Sequence, residues 1–250
     1  METKQVTKKF LKDYKYHNND GYESVCFYND KYFLKILRPE IITNERIEVI
    51  NNLDNVSNKN TVTPKFLLKD KTGFLGYGTK SYMDYTPLYD LVNSDINSKE
   101  EKLSFEERKE IIKNLIEIFG FFYDNKFAYY DVHEGNFLYK EGKIKIIDMD
   151  SGMFENINPL TYNSSLRFSN RKLALLTITF LYNINGQVFD EYYVEHVSVF
   201  IDLIKKLPNQ LQDLFYYALD IRYAKITNII ERLEYFDRNI YEDTKKLLLK

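Results

Sequence analysis

Residues 129–152 read Tyr-Tyr-Asp-Val-His-Glu-Gly-Asn-Phe-Leu-Tyr-Lys-Glu-Gly-Lys-Ile-Lys-Ile-Ile-Asp-Met-Asp-Ser-Gly. Asp131 is followed by Asn136 five positions on, and a strand–turn–strand run then leads directly into Asp148, with Asp150 two residues beyond. Carboxylates and an amide oxygen are hard donors, the kind that Mg²⁺ takes at near-octahedral geometry while keeping some of its water. A lone Asp-x-x-x-x-Asn says little by itself. Its weight comes from the acid at the end of an apolar strand and from the pattern upstream, which agree with it. Asp148 ranks above Asp150 as a metal ligand because the strand 143–147 ends directly at Asp148. Asp150 would reach the metal through water or hydrogen-bond the loop.

Several elements must hold those residues. Residues 14–37 contain three strand-like runs, Tyr-Lys-Tyr, Tyr-Glu-Ser-Val-Cys-Phe-Tyr and Lys-Tyr-Phe-Leu-Lys-Ile-Leu, separated by turn chemistry at 18–21 and 29–30. Pro39 opens a helical pattern over 40–53, where a missing N–H does no harm. Strand-like runs at 64–69 and 74–83 flank a hairpin turn at 69–73. Ser104 with Glu107 forms a capping box, and the helix it opens repeats Ile111, Ile112, Leu115, Ile116 and Phe119 with a 3.6 period. Strands at 136–139 and 143–147 surround the turn at 140–143, and the chain after 165 reads as helix. The expected organisation is a sheet-rich lobe over 1–84 and a helical lobe over 85–250, joined near Asp84–Pro87.

Composition narrows the function classes. The 250 residues carry 35 Lys plus Arg against 37 Asp plus Glu, a formal charge of −2, which excludes a nucleic-acid binder driven by bulk charge. Cys26 is the only cysteine, so there is no intrachain disulfide and no cysteine zinc site. The three histidines, His17, His133 and His196, are too dispersed to suggest a metal cluster. The polar N-terminus has no signal-peptide pattern. The longest apolar run, Leu173–Ile184, is too short to span a bilayer and suits a buried helix. A cytoplasmic protein without membrane or nucleic-acid partners is expected.

The order helix, acidic loop, strand, turn, strand, acid resembles the catalytic core of the protein-kinase-like superfamily. The resemblance is strongest over 129–152, fair over 32–92, and topological after 165. It implies an α+β, two-lobed fold: a small antiparallel-sheet N-lobe with one helix, and a larger, mainly helical C-lobe. It also implies ATP and Mg²⁺ as cofactors. Asp131 would accept or orient the acceptor's hydroxyl proton, and Asn136 and Asp148 would hold the metal, with Asp148-Met149-Asp150 at the DFG position. Lys35, inside the third strand, would grip the α- and β-phosphates; Lys31 lies beside a turn instead. The partner of Lys35 would be a glutamate on the next helix. Glu45 is preferred over Glu48 because it lines up with Ile41, Val49 and Leu53, whereas Glu48 lines up with Asn44 and Asn52. Met83 would face the adenine as gatekeeper, the backbone of Asp84 and Tyr85 would bond its edge, and Gly21 would lie in the phosphate-covering loop.

The sequence departs from that pattern in four places. There is no Gly-x-Gly-x-x-Gly, and glycine-poor backbone approaches phosphates less closely. Tyr129-Tyr130 replaces His-Arg, so Tyr130 cannot pair with a phosphorylated activation loop. His133 stands where protein kinases carry lysine, which resembles aminoglycoside and choline kinases; it would steady Asp131 or the transferring phosphate. Finally, about 20 residues separate Asp148 from the expected central helix, with no Ala-Pro-Glu. The leading reading is an ATP-dependent phosphotransferase, a compact atypical Ser/Thr protein kinase. The alternatives are a small-molecule kinase and a pseudokinase acting as a binding module. The partner is then a protein or a small-molecule hydroxyl acceptor, and oligomeric state has no sequence signature.

Overall fold

The computed structural model describes residues 1–17, 23–92, 101–183, 202 and 204–248. Gly21, His196 and the last residue of the apolar run Leu173–Ile184 lie outside the described residues.

The N-terminal half builds a six-stranded sheet in the order β1-β5-β6-β4-β3-β2. Its strands are β1 (Glu2–Gln5), β2 (Lys15–His17), β3 (Ser24–Tyr28), β4 (Tyr32–Leu37), β5 (Phe66–Lys69) and β6 (Phe74–Lys80). All pairs are antiparallel except β1 with β5, where Glu2–Gln5 runs parallel to Phe66–Lys69. The first strand adds a parallel edge, unmarked in the sequence, to the antiparallel-rich sheet expected of this lobe. It escapes a periodicity reading because it is mostly exposed, an edge held by its backbone. A short helix α1 (Lys8–Leu11) follows, capped by Thr7, whose hydroxyl accepts from the Phe10 N–H at 3.1 Å. Val6, Phe10 and Leu11 then pack on Leu34, Phe66 and Leu68. This short turn of helix is an addition to the one helix expected of the lobe.

The second, α2 (Asn44–Asn52), starts later than Pro39 suggests. Pro39–Ile41 forms a separate 3₁₀ turn, and Thr43 caps α2 by accepting from the Arg46 N–H at 3.1 Å. Ile41 is thus not on the helix, and the buried stripe of Val49 and Leu53 does not extend back to Glu45, which is exposed. Ile50 is fully buried against Leu37 and Tyr77, and Arg46, four residues earlier, shares its face.

The C-terminal half is mainly helical. The capping box of Ser104 and Glu107 opens α3 (Phe105–Asp124), whose Ile111, Ile112, Leu115, Ile116 and Phe119 are all buried. It packs on α4 (Pro159–Leu181), which also carries α5 (Asn209–Leu219), and on α6 (Ile226–Tyr235), with α7 (Arg238–Leu248) last among the described helices. Only the second half of α4 was legible as an apolar run. Its first half buries Tyr162, Ser165, Leu166, Ser169 and Asn170, a mixed face without an apolar signature. Only residues 149–158 therefore separate Asp148 from the helix, fewer than the sequence suggested.

Between the lobes, β7 (Thr86–Pro87) pairs with β9 (Phe137–Lys140), which forms the expected hairpin with β10 (Lys143–Ile146). β8 (Phe127–Ala128) pairs with β11 (Met153–Phe154). The β8–β11 pair closes both ends of the segment that carries the acids, and the other small sheet holds its middle.

Candidate active site

Alternation along β4 sends Phe33 and Lys35 to one face of the sheet. Tyr77 and Thr79, their register partners on β6, line the same cleft. β6 passes close behind Lys35: a Cβ on Gly76, which has φ +154°, would lie 2.0 Å from the Lys35 carbonyl oxygen. Lys35 is 5% exposed, and its Nζ lies 3.0 Å from Asp150 Oδ1 and 3.1 Å from Asp148 Oδ2. Burial works against its charge, but Asp150 and Asp148 raise its pKa above the ordinary lysine value.

Asp150 is the centre of this cluster. Its Oδ1 accepts from Lys35 and from the Tyr77 hydroxyl at 2.5 Å. Its Oδ2 accepts from Arg46 Nε at 3.0 Å and Nη2 at 2.7 Å. Burial opposes its ionisation, yet the Lys35 and Arg46 charges and the Tyr77 hydroxyl hold its carboxyl down at about 2. Both oxygens are thus occupied, and Asp150 does not fit the metal-ligand role expected of it.

Glu45 is also placed elsewhere. It is exposed and accepts from Asn158 Nδ2 at 2.9 Å, while Glu48 is exposed on the outer face of α2. Neither reaches Lys35. The helix presents Arg46 to the cluster, and the acid comes from the loop after β10. Arg46 and Tyr77 were missed by sequence reasoning. The usable signals were the spacing of Arg46 from Ile50 and the alternation of β6 opposite Lys35.

Across the cleft, Asn136 is 6% exposed and donates from Nδ2 to the Asp131 carbonyl at 3.0 Å and to Asp131 Oδ2 at 2.8 Å. Those bonds use the amide nitrogen and leave its oxygen as the donor atom for a cation. The Ile147 N–H donates to the Asn136 carbonyl at 3.1 Å, so the hairpin closes beside Asp148. Tyr129, fully buried, donates its hydroxyl to the Ile147 carbonyl at 3.1 Å and tethers the acidic loop to the same strand end. Asp148 adopts φ +54°, a left-handed conformation, and its carbonyl accepts from Ser151 Oγ at 3.0 Å. Burial, with Asp150 nearby, pushes its pKa up, while Lys35 opposes the rise. Asn136 and Asp148 provide one amide oxygen and one carboxylate, which fits an ion that keeps water and takes its other ligands from phosphate. Among the described residues no cluster of three His, Cys, Asp or Glu exists that would hold a metal without a phosphate ligand.

His133 lies beside Asp131, with Nε2 3.6 Å from Asp131 Oδ2. Its Nδ1 accepts from the Gly135 N–H at 3.1 Å, which leaves the proton on Nε2 and directs it at the carboxylate. The contact with Asp131 raises the His133 pKa. Burial would raise that of Asp131, but His133 and Asn136 bring it below the ordinary value.

The cleft between these walls has a volume of about 520 Å³. Leu138 and Ile147 line it from the C-lobe; Cys26 and Phe33 line it from the sheet. The strand expected to run through Met83 ends at Lys80, after which Ser81–Tyr85 turns. Tyr77 is the strand residue opposite Lys35, Thr79 is buried two residues on along the same face, and Met83 stands 45% exposed at the cleft's edge. Tyr85 does not offer its N–H to a ligand, because it donates to the Tyr82 carbonyl at 3.0 Å. Asp84 pairs through its side chain with Lys140 at 2.6 Å. A second, more open groove of about 670 Å³ adjoins Asp131, lined by Tyr89, Asp90, Tyr130, Phe168 and Lys172. Tyr130 stacks on Phe168 with centroids 4.8 Å apart.

No protein-family model matches the chain. No curated protein matches it either. Solved structures do match, among them the kinase PK-1 of Cydia pomonella granulovirus, at 17% sequence identity and a TM-score of 0.60, covering 90% of this chain and 95% of that one. The architecture is that of the protein-kinase-like fold, an antiparallel-rich sheet lobe on a helical lobe.

Proposed function

We propose that the chain is an ATP-dependent phosphotransferase that moves the γ-phosphate to a hydroxyl acceptor, acting as a compact protein kinase. The observation that carries the reading is the convergence on one cleft of Lys35, from β4, with Asp131, Asn136 and Asp148, from the segment 129–152. Phosphoryl transfer asks a protein mainly for positioning and charge neutralisation. Lys35 would hold the phosphate oxygens. Asn136 and Asp148 would hold Mg²⁺, which when bound neutralises charge on the triphosphate. Asp131 would accept the proton of the acceptor hydroxyl as its oxygen bonds to the γ-phosphorus and the bond to the departing ADP oxygen breaks. The Asn136 amide keeps the Asp131 carboxylate turned to the cleft.

The open groove beside Asp131 supports a protein acceptor, since it is broad and carries carboxylate, lysine and aromatic groups together. One observation favours a small-molecule acceptor instead: residues 149–158 leave little chain for a peptide platform before α4. Among the described residues no helix is long and apolar enough to cross a membrane. A cytoplasmic setting, where ATP is supplied, is part of the proposal.

The test is transfer from γ-labelled ATP with Mg²⁺ by the wild type, Asp131→Asn and Asp148→Asn. Label on protein or on a small acceptor with the wild type alone supports the reading and identifies the acceptor class. Removal of a proton acceptor costs about 10²–10⁴-fold in rate. Nucleotide binding without transfer would assign the chain as a pseudokinase, and no binding with any divalent metal would sink the proposal.

A further inference from the structure

The four charged groups at the back of the cleft, two of them buried, balance in charge. Lys35 and Arg46 supply two cations, and Asp148 and Asp150 supply two carboxylates. The arrangement is lopsided, however. Asp150 is 2% exposed and has no access to water, whereas the side chain of Asp148 is 38% exposed. Lys35 touches both acids. If Lys35 were the sole cation on Asp150, turning its ammonium toward a phosphate would leave a buried carboxylate uncompensated.

Resting on the phosphotransferase reading, we propose that Arg46 is a positioning residue: it is the standing counterion of Asp150 and thereby frees Lys35 to bind a triphosphate. Three features carry this. Both Arg46 contacts, Nε at 3.0 Å and Nη2 at 2.7 Å, fall on Oδ2, the oxygen that Lys35 does not use. The Tyr77 hydroxyl donates to Oδ1 beside Lys35, so that oxygen also keeps a donor when Lys35 turns away. Arg46 Nη2 further bonds Glu23 Oε2 at 2.6 Å, which steers the guanidinium from the other side and holds it in place. Asp150 then serves as the partner of Arg46 and Tyr77 rather than as a ligand, and α2 reaches the segment after β10 through Arg46.

Charge bookkeeping makes the test specific. Arg46→Gln leaves two acids on one cation, Asp150→Asn removes the competing acid, and the double variant restores neutrality. The measurement is MgATP affinity by isothermal calorimetry, with unfolding midpoints recorded for each protein. Arg46→Gln is expected to bind about tenfold or more weakly, a step of 1.4 kcal/mol per decade. Arg46→Gln/Asp150→Asn is expected to return to within about threefold of wild type, an interaction between neighbours of the kind a double-mutant cycle isolates. Asp150→Asn alone should bind MgATP at least as well as wild type.

Wild-type affinity in Arg46→Gln would overturn the inference. So would a double variant no better than Arg46→Gln, since a purely structural arginine gains nothing from loss of the acid. If Arg46→Gln does not fold, the same comparison is made between Arg46→Lys and Arg46→Lys/Asp150→Asn, where a compact ammonium replaces the two-nitrogen contact. A wild type that binds no MgATP would instead defeat the phosphotransferase reading, and the inference with it.

Discussion

Lys35 and Asp150, 115 residues apart in the chain, meet at 3.0 Å in the interior between the two lobes. A glutamate on α2 is therefore not needed to hold the lysine. The acid arrives from the loop after β10, and the helix brings an arginine to that same acid.

Lys35→Met should weaken the fold and the site together. It leaves Asp148 without its cation contact and Asp150 with Arg46 and Tyr77 alone, and breaking a buried pair costs roughly 3 kcal/mol or more. Glu45→Gln should change stability by less than about 0.5 kcal/mol, as exposed substitutions do, and should leave MgATP affinity unchanged. Chemical denaturation and calorimetry on the two variants check both statements. A large loss of nucleotide affinity in Glu45→Gln would restore the helix glutamate to the site.

Acid should destabilise the protein through Asp150. Its pKa, ordinarily 3.8, is held at about 2 in the fold. A carboxylate with a depressed folded pKa contributes stability that is full above the unfolded value and is lost as pH falls through the folded one. The contribution should therefore fade between about pH 4 and pH 2, and its size is roughly 2 kcal/mol. Unfolding free energy measured against pH should show this acid slope in wild type and a flatter one in Asp150→Asn.

The His133 imidazole should titrate above the ordinary histidine value, because Asp131 stabilises its charged form. A group whose folded pKa is raised contributes stability that is complete below the unfolded pKa and is lost as pH rises through the folded one. The His133–Asp131 contact should accordingly weaken as pH climbs past neutrality. Nuclear magnetic resonance of the His133 ring protons gives the titration directly. Asp131→Asn should move it back down, and an unchanged midpoint would remove His133 as a partner of Asp131.

Activity should not depend on phosphorylation of the segment after Asp148. Tyr130 occupies the place where a phosphate-binding arginine would be needed, and it is stacked on Phe168. Transfer by phosphatase-treated protein should equal that of untreated protein. A requirement for prior phosphorylation would contradict the role assigned to this loop.

The segment 129–152 was legible as a sequence because its parts are neighbours in the chain. The hairpin of β9 and β10 and the five-residue step from Asp131 to Asn136 are short-range geometry, set by turn residues and alternation. The capping box at Ser104 and the buried stripe of α3 were legible for the same reason. Other readings failed where a boundary depended on packing. Thr43, not Pro39, starts α2, and that shift rotates Arg46 inward and Glu45 outward. β6 stops at Lys80, opposite Tyr32, and so Met83 lies beyond the strand that sets Tyr77 opposite the lysine.

What the amino-acid order alone determined, then, is the fold class. Only the tertiary structure decided which of the two acids beside the lysine is enclosed and which stays open to the cleft. Asp148 and Asp150 are two residues apart and chemically identical, and no local rule separates them. Burial does: Asp150 is enclosed by Lys35, Arg46 and Tyr77 and must be paired there, while Asp148, partly exposed at the edge of the same cleft, keeps room for a ligand.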